Sequence, residues 1–374
     1  MSNEEILNLQ SKYIYEQNFI IRHVMKLLVT IMLLPSRSFD RILNIFGKSL
    51  KEENVIPLVG FEELWCSEDE IKSGFSWEIV DKYEWQNQIE EGYDLDINSH
   101  KKNIAKRILE EAGIDLSKWY VCLHVRESGF RSDRGRREYR NSSIHNYISA
   151  IKVITDAGGL VIRMGDASMT QLPELPNVID YAFSSKKSAL LDLYLIKHCR
   201  FFIGTGSGPV AIADMFFKEA LFINMDHWMS FYPLRKKDRG IHKHVFSKKL
   251  GRYLTFHEVL SDDWKQQNIF GNIDSNYVLT ENTPEDIDMA VSEYLHCISS
   301  DDFSLSLNQQ EVNMRRVSQS KAIYKKFNIS DNSDISKEVF TKYRIASKIN
   351  VKTQGSICDD YLKKYLHRPF SPEK

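Results

Sequence analysis

Phe201-Phe202-Ile203-Gly204-Thr205-Gly206-Ser207-Gly208-Pro209 is the stretch on which the fold turns. Three large apolar residues and a glycine predict a short strand running into a turn. Pro209 then suits a helix start, where a missing N–H leaves no donor unsatisfied. A strand passing through glycines into a helix is the building unit of parallel α/β sheets.

The same alternation repeats on either side. Residues 119–125, 160–164, 178–181, 201–204 and 221–225 predict strands, and 143–156, 188–198 and 209–217 predict helices. The expected fold class is α/β, with a Rossmann-like parallel sheet covered on both faces, a helical N-terminal region and a helical C-terminal tail. The expected domains are 1–115 (helix-rich), 116–300 (Rossmann-like) and 301–374 (helical tail).

The flanks are read more coarsely. Ile20, Ile21, Val24, Leu27, Leu28 and Ile31 recur at helical spacing until Pro35. A packed helix and a helix lying on a membrane surface through residues 20–34 both fit. The stretch is too short and too charged to span a bilayer, which takes roughly 20 apolar residues. Residues 54–100, with Trp65, Trp77 and Trp85, give no clear organisation, and a helix is expected over 99–114 with a stop at Gly113. Residues 228–252 read as a basic, aromatic stretch without regular pattern. A helix over 283–296 follows, with Asn282 as its expected cap, and then polar residues 301–336.

Composition limits the partners. The 374 residues are 42% hydrophobic, enough for a sizeable core, and a formal charge of −1 argues against a general nucleic-acid binder. Cys66, Cys122, Cys199, Cys297 and Cys358 are scattered without a CxxC pair, so no zinc site is expected. Scattered thiols and polar, acidic residues 2–5 predict a reducing, cytoplasmic setting.

In an open parallel sheet, ligands bind beyond the carboxyl ends of the strands, and here each such end is polar or glycine-rich. His124 and Arg126 share one side of the first strand, Arg163, Gly165 and Asp166 follow the second, and Asn224 follows the fifth. Thr205, Gly206, Ser207 and Gly208 let a backbone approach a phosphate while the helix start offers free N–H groups. A plain tight turn with Ser207 or Gly208 as cap is the alternative. The segment is neither a Walker loop nor GxGxxG. Arg126 and Arg140 bear the forked donors that match a phosphate, and Arg131, Arg134, Arg136 and Arg137 lie between them. His124 reads as a ligand contact or a core histidine, Asp166 as a hydroxyl ligand or a cap, and Asn141 as a cap or a ligand contact.

These residues support a resemblance. His124-Val125-Arg126 after an apolar strand resembles the HxR motif of fucosyltransferase-type enzymes of the GT-B fold. The block LHVRESGF, YRNSSIHNYISAI, GGLVIRMGD, IDYA, DLYLIKHCRFFIGTGSGP and INM, over roughly 121–224, resembles a family of bacterial predicted glycosyltransferases encoded with surface-polysaccharide genes. The resemblance implies a donor half binding a nucleotide sugar, with Arg126 on the diphosphate and residues 205–208 beside it. It also implies metal-independent transfer without a cofactor, and a glycan or lipid-linked glycan acceptor. No DxD-type signature lies in the site. One departure is that Arg126 is followed by Glu127-Ser128-Gly129 instead of a basic residue and an acid, which argues for a donor other than fucose.

Glycosyl transfer needs stabilised charge on the leaving diphosphate and a base for the acceptor hydroxyl. Arg126 with the Ser207 turn is assigned the first task. Glu127, Asp133 and Asp166 are the candidates for the second, with Asp133 preferred and His124 beside them. A nucleotide-sugar epimerase or hydrolase, and a non-catalytic binding subunit of a polysaccharide assembly, are the competing readings.

Overall fold

The computed structural model describes residues 96–130, 138–226, 233, 235–260, 276–326 and 355–372. Residues 20–34, the tryptophan-rich stretch and Asp133 lie outside the described residues. The chain divides into two compact units. One comprises 1–66 and 95–99, of which 96–99 are described, and the other comprises 67–94 and 100–374.

Helix α1 (Ser99–Glu111) is followed by β1 (Tyr120–His124), α2 (Ile148–Asp156), β2 (Leu160–Arg163) and β3 (Val178–Ile179). Then come α3 (Ala189–His198), β4 (Phe201–Gly204), α4 (Gly208–Met215) and β5 (Ala220–Met225). Every residue of β1, β2, β4 and β5 is buried, as strands covered on both faces must be. Burying each Val, Leu, Ile or Phe fully contributes about 1.5–3 kcal/mol relative to exposure, so these strands form the core. Ser188 caps α3 by accepting from the Leu191 N–H at 3.3 Å, and Pro209 sits in the first turn of α4. Gly204 is required by packing: a Cβ there would come within 2.5 Å of the Phe202 ring.

Regular structure continues where the sequence pattern loosens. β6 (Arg239–His242) joins the parallel sheet. β7 (His244–Ser247), β8 (Arg252–Tyr253) and β9 (Tyr277–Thr280) form an antiparallel sheet in the order β8-β7-β9. Periodicity hides β6 because Arg239 and His242 are polar residues buried in the strand. Arg239, 1% exposed, donates to the carbonyls of Lys236, Asp238 and Phe303.

After α5 (Phe256–Val259) comes α6 (Pro284–Ser300), capped by Thr283 in a capping box with Asp286. Asn282, the expected cap, instead accepts from the Asn224 N–H and donates to the His242 carbonyl, tying the start of α6 to β5 and β6. The tail supplies α7 (Leu307–Lys326), β10 (Ser356–Ile357) and α8 (Asp359–Tyr365). It is thus more than helical, because β10 pairs in parallel with β6. Glu293 of α6 accepts the Asp359 and Asp360 N–H groups at 2.7 and 2.8 Å, satisfying orphan donors at the start of α8.

Among the described residues, seven strands form one parallel sheet in the order β10-β6-β5-β4-β1-β2-β3. This is the 3-2-1-4-5-6 order of the Rossmann-like doubly wound fold, with one strand added at the edge. The order reverses between β1 and β4. The crevice at their carboxyl ends is where such sheets accept ligands.

Candidate active site

The reversal point is built by β1 and β4 together. They pair in register up to His124 opposite Gly204, and the ladder continues as the Thr205 N–H donates to the His124 carbonyl at 3.2 Å. Thr205, fully buried, returns the contact: its hydroxyl oxygen accepts from the Arg126 N–H at 2.9 Å. The main chains of the expected HxR segment and the glycine turn are thereby locked side by side. The Ser142 N–H donates to the Arg126 carbonyl at 2.9 Å, which sets Ser142 beside Arg126.

Side chains converge there. The Arg126 guanidinium donates to the Asn141 side-chain oxygen, and Arg140 donates to the Gly206 carbonyl. Arg140 also lies 3.9 Å from Asp226, just past the end of β5. Arg126, Arg140, Asn141, Thr205 and Gly206 thus occupy one place, with Ser207 half-buried and Gly208 exposed at the start of α4. Asn141 caps nothing. The Ser143 N–H, which a cap would take, is bound by Glu281 at 2.8 Å.

Lys243 belongs to this site although no motif pointed to it. It is the single residue between β6 and β7, and its ammonium donates to the Asn141 carbonyl at 2.6 Å. The signal available in the sequence was a lysine just after a strand. That strand was illegible, so the lysine could not be placed.

His124 and Ser207 form a pair of their own. The Ser207 hydroxyl lies 2.9 Å from His124 Nδ1 and 3.0 Å from the Thr205 carbonyl, and it occupies the helix-cap position without capping. A carbonyl only accepts, so the network is satisfied when Ser207 donates to Thr205 and accepts from His124 Nδ1–H. Burial first, and the Arg163 charge second, push the His124 pKa down to about 4, so the ring is neutral at pH 7. A neutral, fixed imidazole braces the glycine turn and carries no charge toward an anion.

Other expected ligands lie elsewhere. Arg163 is fully buried and donates to Glu127 at 2.9 Å and to Asp180 at 3.0 Å, so its guanidinium is occupied by two carboxylates. The same pair removes Glu127 as a free base, since its carboxylate also accepts from the Thr170 N–H. Asn224, 1% exposed, exchanges hydrogen bonds with the Asn282 main chain and side chain and donates to the Tyr147 hydroxyl. Its left-handed φ of 55° suits an asparagine at the strand end. Gly165 has φ 151° and no room for a Cβ, which would lie 2.2 Å from Met169 Sδ; its role is in the turn. Asp166 accepts from the Ser168 N–H at 2.9 Å and shapes that same turn.

No group of three or more His, Cys, Asp or Glu placed to hold a metal occurs among the described residues, and no helix among them is long and apolar enough to cross a membrane. No family model and no curated protein matches the chain. A solved structure titled as glycosyl transferase family 9 from Veillonella parvula DSM 2008 aligns at 11% identity, over 35% of this chain and 36% of that one, with a TM-score of 0.27. The aligned part spans about a third of that protein, and a likeness so slight bears on no chemistry.

Proposed function

We propose that this protein transfers a sugar from a nucleotide-activated donor to a glycan or lipid-linked glycan acceptor in surface polysaccharide synthesis. The observation that carries the reading is the convergence of Arg126 and Arg140 on the glycine turn at the strand-order reversal. In the reaction, an acceptor oxygen attacks the anomeric carbon, and the bond from that carbon to the phosphate oxygen breaks. The electron pair leaves with the nucleoside diphosphate. Preorganised guanidinium and N–H donors favour that developing charge more than the neutral parts of the substrate, which lowers the barrier. Arg126, Arg140 and the start of α4 take this role, with Thr205 and His124 holding the turn. Asp133 is the proposed base for the acceptor proton.

The test is calorimetric titration of UDP, GDP, CDP and their sugars into wild type and Arg126→Ala, without added metal. Saturable binding of one nucleotide, lost in the variant, supports the donor site and names its class. No binding to a folded protein ends the reading. A second reading, a nucleotide-sugar-binding subunit without activity, is favoured by the engagement of Glu127 with Arg163, which leaves few bases near the strand ends. Binding without turnover on any acceptor would select it.

A further inference from the structure

Lys243 meets the site at Asn141. Its N–H bonds to the Met225 carbonyl at 2.9 Å, which fixes the residue beside the end of β5. The residue is 2% exposed, and among the described residues the Asn141 carbonyl is the one acceptor its ammonium meets. The nearby carboxylates are engaged elsewhere: Asp226 faces Arg140, and Glu281 holds the Ser143 N–H and the Asn146 side chain. A buried ammonium with donors to spare is costly unless something anionic joins it.

We infer that Lys243 is the third cation of a cradle for the two phosphate groups of a diphosphate, completed by Arg126 and Arg140. Asn141 is the shared post, holding Arg126 by its side-chain oxygen and Lys243 by its main-chain oxygen. The inference rests on the reading of this site as a diphosphate site and adds to it a ligand from beyond β6. Burial foremost lowers the Lys243 pKa, and Arg126 adds to the lowering while Glu281 and Asp226 oppose it. An arriving anion favours the charged form.

The test uses inorganic pyrophosphate on the full chain in chelator-treated buffer, titrated into wild type, Lys243→Met and Lys243→Arg, with thermal melts alongside. The cradle predicts a fall of about tenfold to a hundredfold in pyrophosphate affinity for Lys243→Met and partial recovery in Lys243→Arg. A lysine that only braces Asn141 predicts a lower melting temperature with unchanged affinity, and that result overturns the inference. So does a wild type that binds no pyrophosphate. If Lys243→Met fails to fold, the pH series decides. As the pH rises wild type must lose affinity faster than Lys243→Arg, because the lysine deprotonates and the arginine does not while the ligand's own titration is common to both, and coincident curves sink the idea. Nucleotide sugars titrated in parallel separate the two claims. Lys243-dependent pyrophosphate binding with no nucleotide-sugar binding keeps the cradle and ends the transferase reading. Sugar transfer indifferent to Lys243→Met does the reverse.

Discussion

Arg126 and Arg163 leave neighbouring parallel strands at the same edge of the sheet, yet they do different work. Arg163 is level with Leu123 in the ladder, so it ends inside the protein. Glu127 and Asp180 meet it there. Arg126 lies three residues beyond that register, past the end of β1, where its guanidinium donates to the Asn141 side-chain oxygen. One half of the carboxyl edge therefore closes on itself through compensated charge, while the other gathers Arg126, Arg140 and Lys243. Residue type and position after a strand do not distinguish a structural arginine from a ligand-facing one. What encloses it does, as Glu127 and Asp180 enclose Arg163.

The comparison is most sharply broken at Arg163. Arg163→Met leaves Glu127 and Asp180 as uncompensated charges in a closed setting and should cost about 3–5 kcal/mol in urea unfolding. A loss below about 1 kcal/mol would mean that the two halves of the edge do not differ as described.

His124 stands between the halves and gives the next largest effect. Its folded pKa lies below that of the unfolded chain, so its contribution to stability is complete above about pH 6.5 and is lost as the pH falls toward 4. At about 1.4 kcal/mol per pKa unit the loss amounts to about 3 kcal/mol. Urea melts at the two ends of that window should show it in wild type and not in His124→Gln. In Arg163→Met the imidazole resonances should titrate at higher pH than in wild type, because the cation that disfavours protonation is gone.

Arg126→Ala should show the opposite division from Arg163→Met. Nucleoside diphosphate affinity should fall about tenfold to a hundredfold, the worth of charged hydrogen bonds, with little change in the urea midpoint. A variant that unfolds and binds normally when folded would put Arg126 with Arg163.

The smallest effect belongs to charge in water. Arg252 and Glu258, bonded at 2.6 and 2.9 Å but well exposed, should yield less than about 1 kcal/mol on Arg252→Ala, and less again in salt. That value is the baseline against which the buried pair is judged.

How much was legible follows the same physics. The strands at 160–164 and 201–204, and the helices at 188–198 and 209–217, could be read because apolar burial leaves a periodic mark. The structure places them within a residue or two. β6 to β9 left no such mark. Their buried positions include Arg239, His242 and His244, and two of these, Arg239 and His244, are stabilised by hydrogen bonds to groups distant in the chain. For example, His244 meets Asp286, and Arg239 reaches the Phe303 carbonyl. The site was legible in the same measure: Arg126, Arg140 and the 205–208 turn come together, whereas Arg163 and Asn224 turn inward and Lys243 was missed.

Local sequence by itself determined the α/β alternation, the glycine turn into α4 and the polar character of the strand ends, because each depends on residues adjacent in the chain. Tertiary structure alone decided the reversal of strand order between β1 and β4, the pairing of Arg163 with Glu127 and Asp180, and the arrival of Lys243 at Asn141. Lys243 reaches Asn141 across a separation of 102 residues, and only the packed sheet brings such partners within hydrogen-bonding range.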